Sequence, residues 1–529
     1  MITFDLLTLK AFISEEKNFF CGARIGKIQQ PTRRELILNL RNAGITRQFY
    51  INIDPVFYHV CFMNSETYSQ RNIKIPQKPP MFCMLLRKYL ENSKIAKVEM
   101  PENERILELY VETYNEIGDS VYLCLAVELM GRYSNIILYN YDTNIIIGCA
   151  HNVGAEKSRD RELAGTLPYI YPPKQNKMNI LEYNGEVDYS KLSSEFYMFS
   201  GNFAALCSGK SLEKLKSYVK LENLSPCISK NYQNYCLYSE LLPDNFRCTN
   251  VNEMIDMYYS HQICCTKFRA VKSHYKTIVR QKLKKINKVI AQLEERKNNL
   301  ADSDKYRLFG DLLMANLYCL HDFSSEVSLY DYENDRQISI TLDGTKSIKD
   351  NANKFYKMYA KAKVSLSKIS ELKDSYLSQK LYFDQLLYSV DIAQNIDDLM
   401  EISNEVEPDK PSVKVNKVSD IMKIELDDGT RIYIGKNNKQ NDYIVSKLAS
   451  EDDLWFHVHN NAGSHVLLKS QKPSDALILR CAQLAKEYSA GKNSSKIGVI
   501  YTKRRYLRKP PGAALGYVTY KNEKEIIID

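Results

Sequence analysis

The 529-residue chain has a single tryptophan and no apolar run near the ~20 residues that a membrane-spanning helix needs. No membrane partner is therefore expected. The opening MITFDLLTLKAFISEEKNFF lacks a basic segment followed by a continuous apolar block and a small-residue cleavage site, so no secretory signal is expected. The 13 cysteines include no Cys-x-x-Cys, and the adjacent Cys264 and Cys265 cannot easily pair with each other. Thiols scattered in this way fit a reducing cytoplasm and argue against a disulfide framework or a zinc site. No Walker sequence and no Gly-x-Gly-x-x-Gly occurs, which leaves no ATP or dinucleotide engine and no cofactor to expect.

What is present is ordinary in bulk: 44% hydrophobic and 26% charged residues, typical of soluble proteins. The length calls for three or four domains. The net charge of +9 is modest, so its placement carries more information than its total. Lys267, Arg269, Lys272, Lys276, Arg280, Lys282, Lys284, Lys285 and Lys288 follow one another with no acid between them. Lys486, Lys492, Lys496, Lys503, Arg504, Arg505, Arg508 and Lys509 form a second cluster. Two separated basic clusters suit an extended polyanion such as RNA; the plainer reading of either one alone is a solvated helix face.

The fold class expected is α+β multidomain. In the first part, ELILNLRN, RQFYINID, RILELYVETY and SVYLCLAVEL alternate as strands do, and SNIILYNYDTNIII reads as a hairpin around Asp142–Asn144. PPMFCMLLRKYLENS is an amphipathic helix entered after Pro79–Pro80, and LPYIYPPKQNK is an extended linker. Residues 173–260 look mostly helical. Val279, Leu283, Ile286, Ile290, Leu293 and Leu300 then fall on a four-three spacing, with Lys297 in one seam position. Ile369, Leu372, Tyr376, Phe383, Leu386 and Val390 repeat that pattern. Two such seams around the insert holding GDLLMANLY and QISITLDG describe an antiparallel coiled-coil hairpin with a small tip domain. Past Pro408 and Pro411 the chain is β-rich with one helix, DALILRCAQLAKEYSAG. The boundaries expected are 1–172, 173–260, 261–410 and 411–529.

Candidate chemistry concentrates in DLWFHVHNNAGSHVLLKS, which carries Trp455, His457, His459 and His465. His457-x-His459 would share one face of a strand, but no carboxylate follows and a metal site needs further ligands and support. Ser464–His465 has no orienting acid for a triad. Two readings stand. In one, Trp455, His457, Ser464 and His465 shape an RNA-facing surface, with Gly463 allowing close main-chain approach; stacking there contributes ~1–3 kcal/mol per base. In the other, a buried Trp–Phe–His cluster organises the domain core. Upstream, NEIGD and ELMGRYSN place Arg132 after a glycine, as a phosphate contact or a cap. Glu104–Arg105 opens a strand, where Arg can fork to phosphate or a base edge and the acid can orient it, or where the two are a surface ion pair.

Taken in order, ARIGKIQQP, PPMFCMLLRKYLE, NEIGD, ELMGRYSNIIL, LPYIYPPKQ, GDLLMANLY, NKQNDYIVSKLASEDDLWFHVHNNAGSHVLL and SSKIGVIYTKRRYLRKPPGAALGYVTY closely resemble the NFACT family over nearly the whole chain. The resemblance implies a glycosylase-like NFACT-N domain, a helix-hairpin-helix region, a coiled-coil middle domain and an α/β NFACT-R domain. It implies a ribosome-associated quality-control factor in the cytoplasm. Such a factor binds large ribosomal subunits obstructed by peptidyl-tRNA, recruits tRNA, alanyl-tRNA in the bacterial branch, and promotes mRNA-independent alanine tailing of the stalled nascent chain. The ribosome's peptidyl-transferase centre makes the bonds, so the chain itself is no enzyme. The partners implied are ribosomal RNA and a stalk-base protein of the large subunit, tRNA and the obstructed nascent chain, with no DNA.

The family's Asp–Arg pair for the tRNA anticodon arm corresponds to Glu104–Arg105, one methylene longer in the acid, with Arg132 as a further tRNA contact. Trp455, His457, Gly463, Ser464 and His465 match its WFH and GSH stretches; Ala462 replaces a usual proline, and His459 falls outside the shared set. Lys503, Arg504, Arg505 and Lys509, with Lys282 and Lys285, are the expected ribosome contacts. The chain begins Met1-Ile2-Thr3 rather than with the Pro–Glu of glycosylases, so glycosylase chemistry is not expected. NLSPC (223–227) stands where the helix-hairpin-helix turn usually carries glycine. The rival expectation is a surface adhesin for fibronectin, an older name in the family.

Overall fold

Alternation in ELILNLRN puts Leu36, Leu38 and Leu40 on a fully buried face, the pattern of a strand lying on a core. The computed structural model describes residues 3–114, 118–156, 161–408, 421–427, 429–470 and 473–529. It divides into two units, Met1–Thr266 and Lys267–Asp529. Residues 115–117 of NEIGD and the expected boundary at 410/411 lie outside the described residues.

In the first unit, helix α1 (Leu6–Phe20) precedes strands β1 (Arg24–Gln29), β2 (Glu35–Asn42), β3 (Ile45–Asn52) and β4 (His59–Met63). Helices α2 (Ser65–Arg71) and α3 (Met81–Leu90) follow, then β5 (Lys94–Glu99), β6 (Ile106–Tyr114), β7 (Ser120–Glu128), β8 (Asn135–Asn140) and β9 (Ile146–Cys149). They form one sheet in the order β4-β3-β2-β1-β5-β6-β7-β8-β9. Helix α1 starts where Asp5 caps the Thr8 amide at 2.9 Å. It buries Phe12 and Phe20 against Phe49 and Phe62 of β3 and β4. Pro80 caps α3, where a proline's fixed φ and missing N–H are tolerated.

Residues 173–260 are less helical than their composition suggests. Short helices α4 (Leu192–Glu195), α5 (Gly201–Leu206) and α6 (Leu212–Val219) precede strands β10 (Cys227–Ser229), β11 (Tyr235–Cys236) and β12 (Asn245–Arg247), which pair as β11-β10-β12. Helix α6 stops because Leu221 and Asn223 take left-handed backbone, φ 63° and 53°, and Pro226 next has no N–H to continue a helix. NLSPC thus leads into a strand. A glycine in left-handed backbone, Gly209 at φ 77°, lies between α5 and α6. These elements share one core with the large sheet.

The division between the units falls within helix α7 (Val251–Asn299). In the second unit α7 is followed by α8 (Asp304–Ala315), the hairpin β13 (Glu326–Asp331) and β14 (Arg336–Thr341), then α9 (Ile348–Ile392) and α10 (Ile396–Val406). Lys276 pairs with Asp391 at 2.5 Å and Glu294 with Lys373 at 3.0 Å. As one number rises the other falls, so the two long helices run antiparallel where they meet. Val279, Leu283, Leu386 and Val390 are buried with Leu399 and Ile402 of α10. Leu372, expected in the seam, is 49% exposed, whereas Ile369 one turn earlier is buried.

The C-terminal part is an antiparallel sheet, β15 (Met422–Glu425), β16 (Arg431–Ile434), β17 (Leu454–Val458), β18 (Val466–Lys469), β19 (Ile497–Lys503) and β22 (Lys524–Ile528), ordered β15-β16-β18-β17-β19-β22. Helix α11 (Asn438–Tyr443) precedes β17, and α12 (Asp475–Glu487) follows β18. The short pair β20 (Leu507–Arg508) and β21 (Thr519–Tyr520) lies between β19 and β22 in sequence. No helix is long and apolar enough to cross a membrane among the described residues.

Candidate nucleic-acid interface

Strand β17 sorts its side chains by period two. Phe456 and Val458 point to α12 and pack on Cys481, Ala482 and Ala485. Trp455 and His457 therefore take the opposite face, where Trp455 packs with Val445, Ile500 and Leu507. Phe456 pairs with Val466, and continuing that register sets His457 across from His465. Their rings meet edge-on at 5.3 Å, while Trp455 lies parallel to His457 at 5.7 Å and perpendicular to His465 at 5.1 Å. Trp455 is 2% exposed, so its ring is no open stacking platform. Burial pulls the His457 imidazole down to about 4. Burial, then the neighbouring His457, holds His465 well below its ordinary value. Both rings are thus neutral at neutral pH.

Gly463 is fixed by packing. A Cβ there would lie 2.9 Å from the Ser489 Cβ, because the AGSH stretch bridges to the segment after α12: Ala490 donates to the Ala462 carbonyl and Ser464 to the Tyr488 carbonyl, both at 2.8 Å. The Gly463 amide donates to Gln385 Oε1 of α9 at 2.6 Å. Ser464 is fully buried. His459 points elsewhere and meets Glu525 at 2.9 Å. Among the described residues no group of three His, Cys, Asp or Glu side chains is placed to hold a metal.

The basic cluster after β19 splits by role. Arg504 gives its Nε to the Val445 carbonyl at 2.6 Å and its Nη1 to that of Leu507 at 3.4 Å, an inward commitment that serves the fold. Lys503 and Arg505 are exposed and share the exposed Asp452. Lys509 pairs with Asp442, which also accepts from the Gly516 amide at 3.4 Å. On α7, Lys282 turns inward to the Val406 carbonyl at 3.2 Å and lies over Phe383. Lys272 likewise donates to the carbonyls of Asp391 and Ala393. Lys285 remains exposed, and Arg280, Lys284 and Lys288 are exposed at four-residue intervals, one line along a helix.

In the first unit, Glu104 is 8% exposed. Burial raises its carboxyl, opposed by the charges of Arg105, Arg161 and Lys174. Arg105 reaches the Tyr58 hydroxyl at 3.2 Å. The turn carrying Arg132 comes to the same place: a Cβ on Gly131 would sit in ordinary contact, 3.7 Å, with the Tyr58 ring and the Pro55 carbonyl. The left-handed backbone there, φ 62°, is what favours glycine. Arg132 itself is exposed, its guanidinium 4.7 Å from the Tyr133 ring. Lys177 belongs here too: burial, then the Arg105 charge, lowers its ammonium. Behind this surface Glu128, fully buried, holds Arg161 at 2.5 and 2.8 Å and the Tyr169 hydroxyl at 3.0 Å.

The structure therefore brings Glu104, Arg105 and Arg132 to one place and Trp455, His457, Gly463, Ser464 and His465 to another. It leaves Arg504 and Lys282 as inward-turned cations. Sequence reasoning missed Tyr58, Lys174, Lys177 and Gln385. The lysines had a local signal in the basic YPPKQNK linker; Tyr58 and Gln385 had none, since their partners lie far away in sequence.

Comparison with known proteins follows the same order of parts. Residues 5–204 and 208–411 match the NFACT N-terminal and middle domains, and residues 422–522 match the NFACT protein RNA binding domain. The chain is 29% identical over 564 residues to Rqc2 homolog RqcH of Bacillus subtilis strain 168, covering 100% of this chain and 98% of the relative. The Rqc2 homolog RqcH of Streptococcus pneumoniae serotype 2 strain D39 is 27% identical over 549 residues, covering 99% and 97%. The solved N-terminal part of the Streptococcus suis fibronectin/fibrinogen-binding protein covers 49% of this chain and 100% of its own, at 26% identity and a TM-score of 0.43. With matched domains along most of its length, the chain belongs to the NFACT family.

Proposed function

We propose that this chain is a ribosome-associated quality-control factor acting in the cytoplasm. It binds obstructed large ribosomal subunits carrying peptidyl-tRNA, recruits tRNA, and promotes C-terminal alanine tailing of the stalled nascent chain. The observation that carries this reading is similarity along the full length of both chains to Rqc2 homolog RqcH. The four-part division at 172, 260 and 410 belongs to the same proposal, with a glycosylase-like first domain, a helix-hairpin-helix turn at Gly209, and α7 and α9 as arms of a coiled-coil hairpin whose tip reaches the stalk base.

Arg105, Arg132 and Glu104 are proposed to meet tRNA. Arg105 is held by Tyr58, which orients a forked donor without neutralising it. The exposed Lys285, with Lys503, Arg505 and Lys509, is proposed to hold ribosomal RNA. The chain positions tRNA and makes no bond itself; the peptidyl-transferase centre does that. Affinity purification from cells, followed by sequencing of bound RNA, tests the reading. Large-subunit RNA with one enriched tRNA species is the expected result, and recovery of neither would overturn it. Binding to fibronectin in place of RNA would favour an adhesin.

A further inference from the structure

The face of β17 that carries Trp455 closes one side of a cavity of about 280 Å³, whose other walls include Leu381 and Gln385 of α9, Tyr517, Val518 and Tyr520, and four asparagines. No lysine, arginine, aspartate or glutamate lines it among the described residues. Trp455 Nε1, Gln385 Nε2 and His465 Nδ1 are buried there without a hydrogen-bond partner. Native interiors rarely leave such groups unpaired, and three in one cavity point to a ligand that pairs with them.

The orientation of two of these groups is fixed by contacts already described. Gln385 Oε1 is held by the Gly463 amide at 2.6 Å, so its two N–H groups are directed away from that contact. Trp455 is packed on His457 and His465, and its indole N–H is left as an unpaired donor. The pocket thus offers donors from indole and carboxamide, walls that are apolar, tyrosyl or the neutral amides of asparagine, and no charge. Phosphate and carboxylate find no cation inside. A flat neutral ring with acceptors on its edge suits every wall, and the volume, near the lower limit of small-ligand sites, suits one ring system. A cation stands at the margin: Asp442 holds both Lys509 and the amide of Gly516, and Gly516 lines the cavity.

We propose that this cavity receives one extruded nucleobase of an RNA strand, its carbonyl or ring-nitrogen edge accepting from Trp455 and Gln385 while the adjoining phosphate stays outside near Lys509. The inference rests on the RNA-binding reading above and deepens it: the C-terminal domain captures an unpaired base rather than only a backbone. Tyrosine faces and a polar edge are the means by which proteins read splayed bases.

Trp455 is the sole tryptophan, so its emission reports on this cavity alone. The full chain is titrated with the four uncharged nucleosides, with a short single-stranded RNA, and with that RNA carrying abasic positions. Two variants accompany it. Val518→Phe fills the cavity; Gln385→Glu keeps an acceptor for the Gly463 amide but replaces the donors with a negative charge. Strand binding is followed in parallel by anisotropy of a labelled RNA.

A saturable emission change with at least one nucleoside, insensitive to salt, is expected. The intact strand should bind more tightly, and abasic substitution or either variant should weaken it by about tenfold, within the range of a single base contact. The salt slope, which counts phosphates, should not move. RNA binding that persists with no emission change and no loss in the variants overturns the pocket while leaving the RNA reading intact. Loss of all RNA binding by the unaltered chain overturns both. An emission change with nucleosides but none with RNA assigns the cavity to a free nucleoside and overturns the strand as its source.

Discussion

The guanidinium of Arg71 and the carboxylate of Asp256 lie 3.2 Å apart with both side chains 2% exposed, joining α2 to the first turns of α7. Asp256 also accepts from the Asn64 amide and the Thr67 hydroxyl, and Arg71 Nε donates to Ser260. Asp256→Ala leaves a buried cation uncompensated and is expected to destabilise the first unit by about 3–5 kcal/mol. Urea unfolding followed by far-ultraviolet circular dichroism checks this; an unshifted midpoint would contradict it.

Gly463→Ala places a methyl 2.9 Å from the Ser489 Cβ. Overpacking against backbone-linked atoms is expected to cost about 1–3 kcal/mol, read as an earlier loss of native Trp455 emission in denaturant. Equal stability would mean that the segment after α12 yields freely.

His457 and His465 are neutral in the fold, and an unfolded histidine takes a proton near 6.5. The unfolded chain therefore binds more protons on acidification, and stability rises with pH. The contribution from His457 is complete above about 6.5 and is lost as pH falls toward about 4. Unfolding midpoints measured across that range should fall on acidification, and His457→Gln should flatten the dependence.

Lys503 and Arg505 share one acid while Arg504 serves backbone carbonyls, so the three adjacent cations should separate in experiment. Arg505→Ala should leave unfolding unchanged and lower the salt slope of RNA binding by about 0.7–0.9. Arg504→Ala should leave that slope alone and cost about 1–3 kcal/mol of stability, as buried carbonyls lose their donor. Matching behaviour of the two variants would refute the division.

Arg132 is exposed on the Gly131 turn, which meets the same Tyr58 that Arg105 reaches; changing it to Ala should lower tRNA affinity about threefold to tenfold at low salt and less at high salt, as for a lost phosphate contact. Arg105→Lys should fall further than the charge alone explains, since lysine cannot fork. Filter binding at two salt concentrations separates these outcomes.

Much of this was legible in the chain. The alternation of Trp455, Phe456, His457 and Val458 already encodes opposite faces of a strand, and the paired prolines before Met81 mark a helix start. The exposed cations on α7 and after β19 could be found by charge, but the inward turn of Lys282 and Arg504 could not: a cation that meets a carbonyl in the fold has the same local spacing as one that meets solvent. The same limit hid the pocket. Gln385 lies 78 residues from Gly463, and no local pattern announces that contact. Strands as short as Cys227–Ser229 carry too few residues for a period, so their helical neighbours dominated the reading.

The antiparallel meeting of α7 and α9 also bears on how the chain comes to be folded. Contacts near the turn join residues close in sequence, as Asp311 with Tyr356, 45 apart, whereas Lys272 reaches the Asp391 carbonyl across 119. Loop-closure entropy grows with that separation. Each contact made nearer the turn shortens the effective loop for the next, so the two helices close like a zipper, from α8 and the β13–β14 hairpin toward Val390. During synthesis α7 emerges long before α9, and its apolar stripe at Val279 and Leu283 must wait, solvent-facing, until Leu386 and Val390 leave the exit tunnel.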